Sequence, residues 1–121
     1  MDIETFRRYC IHLPAVEESL PFGPDTLVYK VCGKIFAITG LDEEECSVNL
    51  KCDPERAIEL RDEYPDQIFP GYHMNKKHWN TIFFERGLAD KFLISLIDHS
   101  YELVVTGLPL KVREQLSRSD G

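Results

Sequence analysis

Cys46-Ser47-Val48-Asn49-Leu50-Lys51-Cys52 alternates without a break: Cys46, Val48, Leu50 and Cys52 fall on one side, Ser47, Asn49 and Lys51 on the other. A period of two describes a strand with one buried and one wet face, the kind used by antiparallel sheets. The next three residues, Asp53-Pro54-Glu55, change the signal. A capping carboxylate, a proline at the first helical position and an acid near the positive dipole end together start a helix. It runs to about Tyr64 on Ala57, Leu60, Arg61 and Tyr64, and Pro65 stops it. A half-wet strand running straight into a helix decides the class: an antiparallel sheet with helices on one side.

Upstream, Asp2 caps a first helix whose apolar positions Ile3, Phe6, Cys10 and Leu13 recur every three or four residues, and Pro14 ends it. Glu17 to Asp25 is dense in turn residues and reads as a loop that carries the chain to the sheet edge. Thr26 to Cys32 and Lys34 to Thr39 form a hairpin about Gly33. Downstream, Ile68 to Met74 and His78 to Glu85 form a second hairpin about Asn75-Lys76-Lys77. The longest helix spans Leu88 to Val105, with Ala89, Leu93, Leu96, Ser100 and Leu103 on one stripe. Gly107 and Pro109 end it, Leu110 to Leu116 adds a short helix, and Ser117 to Gly121 frays. The expected fold is α+β, a two-layer sandwich: one domain over residues 1–121, an antiparallel sheet of about five strands, and helices on one face.

With 121 residues, 43% hydrophobic and 29% charged, the chain can bury a core without disulfide or metal support. It opens without the apolar run of a signal peptide, and no stretch approaches the ~18 apolar residues of a membrane span, so the expectation is a cytoplasmic protein without a membrane partner. The net charge is −7 and unevenly spread. Residues 1–66 carry fifteen acids and seven bases, residues 67–121 six acids and seven bases. A polyanion binder usually neutralises phosphates with lysine and arginine; here a local patch would have to act against the background.

Catalytic and metal signatures are missing. The nearest cysteines, Cys46 and Cys52, are six apart on the apolar side of a strand, and Cys10 is on a helix stripe, so they read as core thiols rather than zinc ligands. No HExxH, G-x-S-x-G, GxGxxG or P-loop pattern occurs. His99 reads as a structural histidine beside an apolar helix face, and the acids Asp42 to Glu45 as a solvated turn. The expectation is a protein that is not an enzyme, with no catalytic residue, metal ligand or cofactor.

What remains is Gly71-Tyr72-His73-Met74-Asn75-Lys76-Lys77-His78-Trp79-Asn80-Thr81. Two lysines and two histidines fall within six residues between a tyrosine and the only tryptophan, and no acid lies between Asp66 and Glu85. Lys30 and Lys34 flank the first hairpin, and Asn49 and Lys51 lie on the wet side of their strand. The candidate binding residues are therefore Lys30, Lys34, Asn49, Lys51, Tyr72, His73, Asn75, Lys76, Lys77, His78 and Trp79. Tyr72 and Trp79 would offer stacking planes, and Asn75 and Asn80 amides for base edges or phosphates. The blander reading is a lysine-dressed edge strand with Trp79 in the core.

The chain resembles the MmcQ/YjbR family over nearly its whole length. The resemblance rests on Leu13-Pro14, Pro21-Phe22-Gly23, the Val31 to Ile38 hairpin with Gly33-Lys34-Ile35-Phe36, the Ser47-Val48-Asn49-Leu50-Lys51 strand, Pro54 and, most specifically, Gly71 to Asn80. It implies a two-layer arrangement related to the CyaY/frataxin-like fold, and DNA binding by analogy with double-wing modules. Iron handling is the weaker analogy, because Glu17, Glu18 and Glu43 to Glu45 do not form a long acidic helix face. Two functions follow: the hairpins grip DNA backbone as wings, or the same sheet face, without catalysis, binds a small anion or a protein partner.

Overall fold

The computed structural model describes residues 1–120. Its elements run α1 (Ile3–His12), β1 (Val16–Ser19), β2 (Thr26–Val31), β3 (Lys34–Gly40), β4 (Val48–Lys51), α2 (Pro54–Glu63), β5 (Ile68–Pro70), β6 (Trp79–Ile82), α3 (Asp90–Thr106) and α4 (Leu110–Asp120). The caps are those the sequence implies. Asp2 accepts a hydrogen bond from the Thr5 N–H at 2.8 Å, and Asp53 one from the Arg56 N–H at 3.2 Å with Pro54 in the first turn. α4 continues through Ser117, where fraying was expected; Gly121 lies outside the described residues.

The strands form one sheet in the order β1-β2-β3-β4-β6-β5, every neighbouring pair antiparallel. Six strands replace the expected five. The added one is β1, inside the stretch read as a loop. Its sequence, Val-Glu-Glu-Ser, is flanked by turn residues and carries no period of its own; only pairing with β2 makes it a strand. The pairing sets Glu18 opposite Tyr29. The Tyr29 hydroxyl donates to Glu18 at 2.6 Å, and the Arg7 guanidinium grips the same carboxylate at 3.0 and 3.1 Å. Arg7 holds the Glu18 carboxyl below its ordinary range, so this tie of α1 to the sheet edge weakens in acid.

The helices cover one face. Phe6 of α1 stacks on Phe84 at 5.4 Å and meets Tyr29 edge-on at 5.8 Å, while Phe36 meets Tyr101 of α3 edge-on at 5.5 Å. Val48, Leu50 and Cys52 join this core, and Cys46 packs against it, as the alternation in β4 implies.

Ser100, on the apolar stripe of α3, has a specific task. The sheet register slips between Tyr29 and Lys30, leaving Phe36 as the extra residue of β3, and β3 and β4 pair no further than Ala37 with Leu50. The fully buried Ser100 hydroxyl closes that gap. It donates to the Phe36 carbonyl at 2.6 Å and accepts from the Lys51 N–H at 2.9 Å. His99 acts nearby, its Nε2 accepting the Asp53 N–H at 3.1 Å, which ties α3 to the start of α2.

Ser100→Ala should lower the unfolding free energy by about 2–4 kcal/mol in urea titration, because two buried backbone groups lose their partner. A change below about 0.5 kcal/mol would show that the bridge contributes nothing. Burial, and then Arg56, lowers the His99 pKa, so the unfolded chain takes up a proton first. That contribution to stability is intact above about pH 6.5 and is lost as pH falls through the lowered value. In His99→Gln the urea midpoint should lose the step that begins as pH falls below about 6.5, leaving the carboxylate-driven decline at lower pH.

Candidate functional site

The face away from the helices is built by register. Ser19 pairs with Val28, Val28 with Ile38, Ile38 with Asn49, Asn49 with Thr81 and Thr81 with Phe69, one row across all six strands. Two residues along, Glu17 faces Lys30, Lys30 faces Ile35, and Lys51 faces Trp79. Strand directions set the rest. The β2–β3 turn, the C-terminal end of β4 and the β5–β6 loop all lie at one end of the sheet.

That end carries five of the predicted lysines. Lys34 follows the tight turn in which Cys32 (φ 49°) and Gly33 (φ 81°) are both left-handed, the twist a two-residue hairpin needs. Lys30 and Lys51 are half-buried on the open face, and Lys76 and Lys77 are exposed in the β5–β6 loop. Among the described residues none of the five makes an ion pair; the side-chain ion pairs are those of Arg7 and Arg86.

The β5–β6 loop is two successive turns, with strands much shorter than the sequence implies. Trp79 and Asn75 bind most of its backbone. The Gly71 N–H donates to the Trp79 carbonyl at 2.9 Å, and the Asn75 carbonyl accepts from the Trp79 N–H at 3.0 Å. The Asn75 side chain accepts the Lys77 N–H at 2.9 Å. Gly71 is required by close approach: a Cβ there would lie 2.8 Å from the Trp79 Cβ and 2.9 Å from its carbonyl oxygen. Arg61 of α2 donates to the Lys76 carbonyl and, at 2.7 Å, to Asn80.

The first turn folds back over the open face. The Thr81 hydroxyl accepts the Tyr72 N–H at 2.8 Å and donates to Asn49, whose amide reaches the Tyr72 carbonyl at 3.4 Å. This clamp and the opposite loop wall a cleft of about 1130 Å³. Its lining includes Phe22, Ile38, Phe69, Tyr72, His73 and Phe83.

The predicted residues therefore divide. Tyr72, His73 and Asn49 line the cleft; Lys30, Lys34, Lys51, Lys76 and Lys77 stand at the end of the sheet. Asn80 is corrected: 1% exposed, it faces α2 with its amide held by Arg61 and the Ala57 carbonyl, whereas Asn75 is exposed and uses its Oδ1 to hold its own turn. His78 is separated from His73 by the second turn, and its carbonyl accepts the Cys52 N–H. Trp79 is more than half buried on the open face beside Lys51, neither in the helix-side core nor a free stacking plane. Phe22, Glu43, Phe69 and Phe83 also line the cleft without having been singled out as binding residues, and Arg86, which follows the last strand, joins them. The adjacent Pro21, Gly23 and Pro24 mark Phe22 as a loop-borne aromatic, the one signal available in the sequence.

Arg86 is fully engaged. It forms a two-pronged ion pair with Glu45 at 2.5 and 2.8 Å, donates to the Asp66 carbonyl at 2.7 Å and lies 4.0 Å over the Phe83 ring. Glu45 is thus not merely solvated, as the acidic turn suggested; Arg86 pulls its carboxyl below the ordinary range. Among the described residues no group of three or more His, Cys, Asp or Glu gathers as a metal cage. Burial pushes the Cys46 and Cys52 thiols up to about 11 and Cys10 higher still.

The family model described as YjbR matches residues 11–103, from the end of α1 through most of α3. The chain belongs to the YjbR family. It is 42% identical over 105 residues to the uncharacterised protein YbdF of Escherichia coli O157:H7, covering 87% of this chain and 85% of that one. It is 34% identical over 116 residues to YjbR of Escherichia coli K12, covering 96% and 98%. Among solved structures, the Deinococcus radiodurans protein DR2400 matches with TM-score 0.88 and 38% identity over 95% of this chain and 87% of that one. A Pseudomonas syringae crystal structure matches with TM-score 0.75 and 28% identity, over 85% and 98%. The family match spans both hairpins and the cleft.

Thr81→Val keeps the shape of the side chain and removes the clamp. Amide exchange at Tyr72 should accelerate and stability fall by about 1–2 kcal/mol, with exchange in α3 unchanged. Unaltered protection at Tyr72 would mean that the loop is held by other contacts.

Proposed function

We propose that this chain is a binding protein rather than an enzyme, and that its partner is nucleic acid, with DNA the leading case. The supporting observation is the set Lys30, Lys34, Lys51, Lys76 and Lys77 at the end where both hairpins project, none of them in an ion pair among the described residues. The two hairpin ends are separated by three strand spacings, about 14 Å, comparable with the roughly 12 Å major groove. Backbone charge is what such an arrangement would meet, with Asn75 and Arg61 stiffening the second wing. The −7 background and Glu17 opposite Lys30 limit the affinity, so binding belongs to low ionic strength. No helix among the described residues is long and apolar enough to cross a membrane.

Fluorescence anisotropy of labelled duplex and single-stranded oligonucleotides, at several salt concentrations, tests this reading. Lys76→Ala with Lys77→Ala should weaken binding uniformly across sequences and lower the salt slope by about two units, roughly 0.9 per lost phosphate contact. Absence of salt-dependent binding by the unaltered protein at low ionic strength overturns the DNA reading. Salt-insensitive, saturable binding of one metabolite or protein at this end would favour the alternative.

A further inference from the structure

The open-face cleft is distinct from the lysine-bearing end, and its one charged lining side chain without a partner among the described residues is an acid, Glu43. Its floor is the row Ile38, Asn49, Thr81 and Phe69; its rims hold two of the most exposed aromatics of the chain, Phe22 (67% exposed) and Tyr72 (68%). Large apolar side chains left in water on both sides of a concave surface mark a contact surface rather than core. The volume, about 1130 Å³, suits a small molecule.

Two lining side chains bear formal charge at neutral pH regardless of histidine state, Glu43 and Arg86. Arg86 is neutralised by the two-pronged bond to Glu45 and covered by Phe83. Glu43 has no ion pair or hydrogen bond among the described residues, and its carboxylate lies over the sheet. A methyl group on Gly40 would sit 2.8 Å from Glu43 Oε1. His73 lies against Tyr72, ring centroids 4.0 Å apart and planes tilted by 49°. Apolar and aromatic walls together with one uncompensated carboxylate attract a cation with an apolar body, because the carboxylate draws the charge and the walls cover the body. An anion would meet Glu43 and a −7 molecule.

We propose that the cleft between Phe22 and Tyr72 is a binding site for a small organic cation, an amine or quaternary ammonium carried on an aromatic or aliphatic body, with Glu43 as its counter-charge. The ammonium sits toward Gly40 and Glu43; the apolar body lies on Ile38 and Phe69.

The test is a matched series on one aromatic body: 2-(2-naphthyl)ethylamine, 2-(2-naphthyl)ethanol and 2-naphthylacetate. Each is titrated into the ¹⁵N-labelled full chain at low ionic strength and pH 8, above the ordinary histidine range. The amine should bind about fivefold or more tighter than the alcohol, with the carboxylate weakest, and shift the amides of Gly40, Ser47, Asn49 and Thr81. Glu43→Gln, a change at an exposed side chain, should bring amine and alcohol close to parity while leaving the alcohol's affinity unchanged. Tyr72→Ala should weaken both. The inference fails if the three probes bind alike, if the carboxylate binds best, if none binds at millimolar concentration, or if the amine's preference survives Glu43→Gln. Shifts confined to residues outside the cleft overturn it as well. Since DNA is absent from this experiment, its outcome is independent of the nucleic-acid reading.

Discussion

One hydroxyl group, that of Ser100, lets the sheet and its helical layer coexist. At the bulge in β3, Phe36 turns its side chain into the helix-facing core, and the strand pulls away from β4. The Phe36 carbonyl and the Lys51 N–H would be left buried without partners, and Ser100 satisfies both. A larger side chain would force the helix off the sheet, and an apolar one would leave two orphaned groups. The hydroxyl thus sets how closely α3 approaches, and with it the packing of Phe36 against Tyr101. Next to it, His99 fastens α3 to the start of α2. The central strand therefore enters α2 from a fixed position, and α2 in turn holds the β5–β6 loop through Arg61.

That chain of support separates two surfaces of opposite character. At the hairpin end the five lysines make no ion pair among the described residues, Lys76 donating only to the Gly71 carbonyl at 3.4 Å, while Arg7 and Arg86 are paired with Glu18 and Glu45. On the open face, Thr81 and Asn49 fold the first turn of the loop over the sheet, making a concave wall of what would otherwise be a flat surface. The same loop serves both: its second turn presents Lys76 and Lys77, its first presents Tyr72 and His73. Asn75 makes the two turns separate hydrogen-bonded units.

The family match takes in both surfaces. The match covers residues 11–103, which contain every strand, both turns and the cleft, and a fold shared at TM-score 0.88 over 95% of the chain supplies the scaffold. Fold alone does not settle what a surface binds.

Much of the fold was legible in the sequence because its signals are local. Alternation from Cys46 to Cys52, the Asp53-Pro54 cap and the helical stripes each depend on a few neighbouring residues, and each appears where expected. β1 was not legible, since Val-Glu-Glu-Ser becomes a strand only through the ladder with β2 and the bond of Glu18 to Tyr29. The site was legible in part. The Gly71 to Asn80 stretch stands out by composition, and Tyr72 and His73 do line a cleft. Charge neutralisation was out of reach: Glu45 and Arg86 are 41 residues apart, and nothing local says that this acid is paired while Glu43 is left free. Asn80 looked like a ligand amide because sequence shows a donor and an acceptor but not the partners they already serve, Arg61 and the Ala57 carbonyl. Composition and period determined which elements form; long-range contacts alone decided which charges and amides remain free to bind.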